Sequence, residues 1–272
     1  MHNDKKVIIA YLYTKFDVPQ NLINFLHYHK KNKPGYAHDL LICYKLLTEN
    51  EINELRIITN SIDHIEFIDK NNVNDFDFGS YKRIAIKFPN NPIFFTLGHS
   101  YPVSENWLRK IMFYFNKDTF IGTSTSNESL YTSFVKKKGF KTIFNLSNFF
   151  FYKRNFHPFP NPHIRTINFI LYGSEYLEFI KNKLFNNKKD AWICESGLLG
   201  MTNYFKNKRF KIFTINADGI SFSTEKFKYS ETYCFKNQNK QLFSDKHSRK
   251  FDQLNEIGKL EISDKVWGAE KL

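Results

Sequence analysis

The sequence predicts an α/β fold with a mostly parallel sheet flanked by helices. In the first half of the chain, short apolar runs rich in β-formers alternate with segments of helical period at close spacing. Turn and capping residues separate these runs, as a strand–helix alternation requires. The chain has 272 residues, of which 42% are hydrophobic and 18% aromatic, so it can bury a substantial core in one large α/β domain or two small ones.

Val7 to Tyr13 (VIIAYLY) reads as a buried first strand. Pro19 to His29 places Leu22, Phe25 and Leu26 at helical spacing, and Lys33-Pro34-Gly35 stops the helix. Asp39 to Tyr44 is a second strand. Thr48 opens the next helix, with Glu51 three residues on as a capping box. His64 to Asp69 is a third strand, Asp77 to Ile86 a short helix, and Pro92 to Leu97 a fourth strand. Pro102 to Phe115 reads as a helix capped by Ser104, followed by a strand edge at Thr119 to Gly122. The tail after Gly219 is polar and weakly periodic, which suggests a wrap of loops and one short helix. No internal repeat and no interdomain linker is evident.

Forty Lys and Arg against 27 Asp and Glu give a net charge of +13. Such a chain attracts phosphorylated substrates or an anionic membrane surface. The lysines are scattered (Lys136 to Lys138, Lys181 to Lys189, Lys206 to Lys211) and form neither a basic stripe nor a nucleic-acid motif, so nucleic acid is not an expected partner. Cys43, Cys194 and Cys234 are odd in number, widely spaced and without a C-x-x-C pair. They indicate neither a disulfide framework nor a zinc site, and they suit a reducing cytoplasm. The N-terminal apolar run is too short for a signal peptide, and no stretch approaches the ~18 apolar residues of a membrane span. The expected location is cytoplasmic, with any membrane contact peripheral to the inner membrane.

Open sheets of this kind bind ligands beyond the carboxyl ends of their strands. That draws attention to Tyr11 and Tyr13 to Asp17, Tyr44-Lys45, Asp69, and Leu97 to Ser100. Neither G-x-G-x-x-G nor G-x-x-x-x-G-K-[ST] occurs, which disfavours dinucleotide and P-loop binding. The densest polar signal is Pro158 to Gly219. PFPNPHIRT packs Asn161, His163 and Arg165 among prolines ahead of an apolar run. Pro162 keeps the segment extended, so His163 and Arg165 share one face. KKDAWICESGLLG then places Asp190 and Glu195 around the start of a helix, and a strand ends in NADG at Asp218-Gly219.

This order of parts resembles a GT-A nucleotide-sugar glycosyltransferase. FPNPHIRT, DAWICESG, the strand ending in NADG and the terminal Trp267-Gly268 more narrowly resemble bacterial glycosyltransferase-like proteins found with surface-polysaccharide genes. IFFTLGHSYPVSENWL and IGTSTSNES fit the same group, and the likeness covers most of residues 5 to 268. The resemblance implies a GT-A mixed sheet, mostly parallel, in a single domain over 1–272. A nucleotide-sugar-binding half would span 1–125, and an acceptor-binding half with a C-terminal wrap 126–272. It implies transfer of a hexose-like sugar from a nucleotide-sugar donor to a glycan or lipid-linked glycan in capsule or lipopolysaccharide synthesis.

The resemblance also assigns roles. Glu195 stands where the family's catalytic Glu does, and Ser196 where its Asp does. This implies that Glu195 is the general base of an inverting displacement, aided by Asp190; the alternative is a helix cap paired with surface lysines. Tyr11, Tyr13, Asp69, Gly79, Tyr81, His99 and Ser100 fall in the donor-binding half. Asn161, His163, Arg165 and Asp218 fall to the acceptor or to phosphate, the alternatives being a loop arginine on carbonyls and a simple turn at Asp218-Gly219. Trp107 and Phe149 to Phe151 read as core or acceptor wall. The family's metal-binding D-x-D, expected after the fourth strand, is replaced by Leu97-Gly98-His99-Ser100. Mn²⁺ or Mg²⁺ would then have His99 as a poor ligand, or metal independence would leave the diphosphate to Arg165 and lysines. A literal D-x-D at Asp75-Phe76-Asp77 precedes the Gly79 helix and reads as a loop and N-cap. The lost D-x-D also motivates a second function class, a catalytically silent scaffold that binds a glycan or a partner transferase.

Overall fold

The computed structural model describes residues 6–139 and 145–268, so both ends of the expected 1–272 domain lie outside the described residues. The elements run β1 (Val7–Thr14), α1 (Pro19–Lys31), β2 (His38–Lys45), α2 (Glu49–Thr59), β3 (Ile65–Asp69), α3 (Phe76–Lys87), β4 (Pro92–Leu97), β5 (Tyr101–Pro102), α4 (Trp107–Met112), β6 (Thr119–Gly122), β7 (Thr125–Ser126) and α5 (Leu130–Lys138). They continue with α6 (Leu146–Asn155), β8 (His163–Ile164), β9 (Asn168–Tyr172), α7 (Gly173–Ile180), α8 (Lys188–Ser196), α9 (Met201–Asn207), β10 (Lys211–Ile215), β11 (Ser221–Phe222), a 3-10 turn over Thr224–Ser230, β12 (Phe243–Ser244), α10 (Lys246–Asp252) and α11 (Glu256–Trp267).

Eight strands form one mixed sheet in the order β11-β10-β6-β9-β4-β1-β2-β3. β3, β2, β1 and β4 are parallel neighbours, and β6 and β10 are parallel to each other. β9 runs antiparallel to both β4 and β6, and β11 antiparallel to β10. The two halves of the chain therefore share one sheet, with β9 from the second half lodged between β4 and β6 of the first.

β1 is buried along almost its whole length, as a strand covered on both faces must be. Its side chains alternate between two cores. Ile8, Ala10 and Leu12 join Phe78, Tyr81, Tyr176 and Phe205 beneath α3, α7 and α9. Val7, Ile9, Tyr11 and Tyr13 join Phe25, Ile52 and Trp107 beneath α1, α2 and α4. Thr48 caps α2 as the sequence predicts: its backbone N–H donates to Glu51 Oε2 at 2.7 Å, and its Oγ1 accepts from the Glu51 N–H.

Three sequence expectations change. The helix expected from Pro102 begins only at Trp107, because β5 pairs with β12 and takes Tyr101 and Pro102 into a ladder. Ser104 is not its cap; its Oγ accepts from Lys110 Nζ at 2.8 Å, while the Pro34 carbonyl accepts the Leu108 and Arg109 N–H groups. The tail contains two helices, α10 and α11, and their apolar residues Phe251, Val266 and Trp267 complete the first core.

The carboxyl ends of β2 and β3 are closed by charge. Lys45, the last residue of β2 and 1% exposed, donates to Asp75 and to the Phe76 carbonyl. Asp75 also accepts from Arg83 at 2.7 Å and from Asn71 at 2.8 Å. Asp69, the last residue of β3, is buried against Arg83 and Ser80. Asp75 precedes α3, but its side chain makes no cap bond, since these cations engage it instead. Gly79 is required here, because a Cβ would overlap the Asp75 carboxylate. Tyr81 is fully buried against Phe95 and Tyr176. Burial raises the Asp75 carboxyl, and the bonds from Arg83 and Lys45 outweigh it and hold the group below its ordinary value.

Asp75→Ala would leave the Lys45 ammonium buried against a single carbonyl. The expected loss in unfolding free energy is about 3 kcal/mol, measured by urea denaturation. A loss below ~1 kcal/mol would show that Lys45 reaches water in the native state.

Candidate active site

A cavity of about 660 Å³ opens where β4 ends and β9 begins, beside the point at which the sheet turns from parallel to antiparallel. Leu97 and His99 enter it from the end of β4, and Asp77 from the first turn of α3. His163 comes from β8, Arg165 and Thr166 from the β8–β9 connection, Lys188, Trp192 and Glu195 from α8, and Tyr233, Lys246, His247 and Lys250 from the tail.

Glu195 lies in the last turn of α8, not at a helix start, because Gly197 to Gly200 break the chain before α9. What holds its carboxylate is Thr166, in the turn between β8 and β9. Oε1 accepts from Thr166 N at 3.0 Å and from Thr166 Oγ1 at 3.3 Å. Among the described residues no group donates to Oε2, which leaves that oxygen free to accept a proton from a ligand. Asp190 sits at the other end of the helix and completes a capping box with Asn187. Its Oδ2 accepts the Asn186 and Asn187 N–H groups at 2.9 and 3.1 Å, so it is spent on the cap and does not reach the cavity.

Asp77 is the residue that sequence reasoning missed, having set the local D-x-D aside as a loop and N-cap. Burial pushes its carboxyl up to about 6, and the negative charge of Glu195 adds to the rise. The cavity thus holds three carboxylates: Asp77 and Glu195 in different surroundings, and Glu128 paired with Lys265 at 2.8 Å.

The histidines are held neutral. Burial lowers His99 to about 4, and its Nδ1 is buried without a partner. Burial also lowers His163, whose Nδ1 lies 2.8 Å from the Asn161 carbonyl. A carbonyl accepts, so Nδ1 carries the proton and Nε2 remains an acceptor. Asn161 itself is a strap: its amide donates to the Ser196 carbonyl at 2.8 Å, and it does not line the cavity.

Arg165 lines the cavity, but its charge is committed elsewhere. Nη1 donates to Asp245 Oδ2 at 2.8 Å, and the guanidinium lies 3.6 Å from the Tyr233 ring centroid. Burial would raise the Asp245 carboxyl, yet the Arg165 charge and hydrogen bond hold it at about 2. Asp245 also caps α10 by accepting the His247 and Ser248 N–H groups. The cations left facing the cavity are Lys188, Lys246 and Lys250, since Lys265 is paired with Glu128 at 2.8 Å. The D-x-x-S spacing at Asp245 to Ser248, a cap signature, was the one sequence signal for α10.

The remaining candidates are dispersed. The Tyr11 hydroxyl donates to the Gly98 carbonyl at 2.7 Å, and its ring stacks on Phe25, fully buried. The Tyr13 hydroxyl donates to the Asp17 carbonyl. Asp69, Gly79 and Tyr81 belong to the closed ends of β2 and β3 and to the core described above. Ser100 is buried near the Asn168 amide. Asp218 is in the β10–β11 turn, ion-paired with Lys240 at 2.8 Å and away from the cavity. Among the described residues no three His, Cys, Asp or Glu side chains are arranged to hold a metal ion, and the space a side chain would need at Gly98 is taken by the Asp17 carboxylate. The end of β4, Leu97 to Ser100, thus offers no carboxylate of its own to a divalent cation.

No family model and no curated protein matches the sequence. Solved structures with a similar chain path include the bifunctional glycosyltransferase WbbM in its apo form (9% identity, TM-score 0.41, covering 71% of this chain and 37% of that one). Another is the mannosyltransferase Ktr4p from S. cerevisiae in complex with GDP (9%, TM-score 0.37, 70% and 60%). A third is a 4-diphosphocytidyl-2C-methyl-D-erythritol synthase from Anaerococcus prevotii (10%, TM-score 0.46, 83% and 94%). The chain thus spans less than two thirds of the length of the first two. Among the described residues no helix is long and apolar enough to cross a membrane.

The Asp77 carboxyl is raised in the fold above its ordinary 3.8, so the native state binds its proton more tightly than the unfolded chain does. Stability from this group is present below pH 3.8 and is lost as pH rises through about 6. Asp77→Asn is expected to raise the Tm by a few degrees at pH 7.5 and to change it little at pH 4, read by thermal unfolding. A variant less stable than wild type at pH 7.5 would mean that the ionised form is the stabilised one.

Proposed function

We propose that the protein is a glycosyltransferase that moves a sugar from a nucleotide-sugar donor to a glycan or lipid-linked glycan. The observation that carries this is the Glu195 carboxylate, anchored through one oxygen by Thr166 and open through the other, in a cavity at the carboxyl end of β4. A glycosyl acceptor hydroxyl must lose its proton as its oxygen attacks the anomeric carbon, and a fixed carboxylate with one free oxygen is suited to take it. Glu195 is then the general base of a single inverting displacement.

The other groups divide the remaining work. The exposed ammonium groups of Lys246 and Lys250 on α10 face the leaving diphosphate and offset its developing charge. His99 and His163, neutral in the fold, offer hydrogen bonds without competing for that charge. Asp77 accepts sugar hydroxyls. No step is routed through a metal ion. A role in capsule or lipopolysaccharide assembly rests on the resemblance of the FPNPHIRT and DAWICESG segments alone.

Glu195→Gln keeps the shape and the Thr166 bonds but cannot take a proton. It is expected to lower kcat by at least about 10²-fold with little change in KM for the donor. The assay is transfer from UDP-, GDP-, CMP- and dTDP-sugars, preceded by a thermal-shift screen with and without Mn²⁺ or Mg²⁺ to identify the donor class. An unchanged kcat, or a product with retained anomeric configuration by NMR, would remove Glu195 from this role. Failure of every nucleotide sugar to bind or turn over would reject the transferase itself.

A further inference from the structure

A second cleft, open and about 970 Å³, lies beside the Glu195 cavity and shares Glu128, Leu130, Lys188, Trp192 and Lys265 with it. Its other walls are Phe134 on α5, Tyr152 on α6, and Lys137 and Lys189. Lys188, Trp192 and Glu195 are four and three residues apart on α8 and so lie along one helix face. The seven helical steps from Lys188 to Glu195 span about 10 Å at ~1.5 Å per residue. A chain of sugars laid along that face would meet the ammonium at one end and the carboxylate at the other.

The cleft is aromatic and unbalanced in charge. Lys188 Nζ lies 5.6 Å from the Trp192 ring centroid. Lys189 Nζ lies 4.5 Å from the Phe151 ring centroid and donates to Asn148 Oδ1 at 2.9 Å. The one carboxylate in the cleft, Glu128, is held by Lys265. Among the described residues no carboxylate pairs with Lys137, Lys188 or Lys189. Three cations beside an apolar, aromatic wall suit a ligand with sugar faces and a negative group.

We infer that this cleft is the acceptor subsite and that it selects an acceptor carrying an anion, a carboxylate or a phosphate, on Lys137, Lys188 and Lys189, with a sugar ring against Trp192. The word acceptor rests on the transferase reading above; the anion site does not.

Trp192 gives a direct readout, because the other two tryptophans, Trp107 and Trp267, are buried. The probes are a disaccharide ending in glucuronic acid, the same disaccharide with its carboxyl reduced to an alcohol, and the neutral disaccharide as its 1-phosphate. Each is titrated against the full chain by tryptophan fluorescence without donor. At least one charged probe is expected to quench Trp192 and bind ten-fold or more tighter than the neutral one. Lys137→Ala/Lys188→Ala, at exposed positions, is expected to erase that preference and leave the weak neutral binding unchanged. Preference for the uronate assigns an acidic polysaccharide, and preference for the phosphate assigns a phosphate-linked carrier. Equal binding of charged and neutral probes, no quenching, or charge preference that survives the double substitution would overturn the inference. Donor turnover without charge preference would sink the anion site and leave the transferase standing. Probe binding through the lysines with no donor binding or turnover would do the reverse.

Discussion

The buried pair of Arg165 and Asp245 sets the shape of the cavity's roof. A guanidinium this deep in the protein carries a large desolvation cost unless a carboxylate meets it, and breaking such a pair strands a charge. Asp245 meets it and at the same time caps α10, which fixes where Lys246, His247 and Lys250 point. The Arg165 plane also takes the Tyr233 ring, and the Tyr233 carbonyl receives the Trp267 indole N–H at 2.8 Å. One ion pair thereby ties a β8–β9 loop residue to the capping turn of α10, to the loop at Tyr233 and to the end of α11. Buried pairs of this kind add little net stability compared with apolar packing, and their contribution here is geometric.

The cavity's electrostatics follow from that construction. Carboxylates, imidazoles and ammonium groups all face the cavity, and α8 alone carries both Lys188 and Glu195. Glu195 is fixed by the Thr166 amide in the β8–β9 turn, while Asp77 is drawn toward neutrality by burial and by Glu195 itself. The ammonium groups stand on two helices, α10 and α8, and neutral imidazoles are supplied by the β4 end and by β8. A ligand with a negative group at one place and hydroxyls at another has distinct partners for each. The aromatic cleft beside Trp192 extends the same division outward along α8.

Much of this frame was legible in the sequence. The runs VIIAYLY, LLICY and PIFFTL carry their own strand signal, and Thr48 with Glu51 carries its own cap, because each depends on neighbours within a few residues. The expectation that His163 and Arg165 of the NPHIR loop share one face agrees with both lining the same cavity. The roles within it were not legible. Arg165 looked like a phosphate ligand until Asp245, eighty residues on, claimed it. Asp190 looked like a catalytic partner of Glu195 until the helix placed the two at opposite ends, one in a cap.

The sequence by itself therefore determined the α/β class and most of the strands and helices in the first half. Local periodicity and local hydrogen bonding are properties of contiguous residues, so they survive in one dimension. Only the tertiary structure decided that β9 enters between β4 and β6, that the weakly periodic tail forms α10 and α11 over the strand ends, and which charges stay free. A side chain's availability depends on what its desolvated charge can pair with, and those partners come from anywhere in the chain.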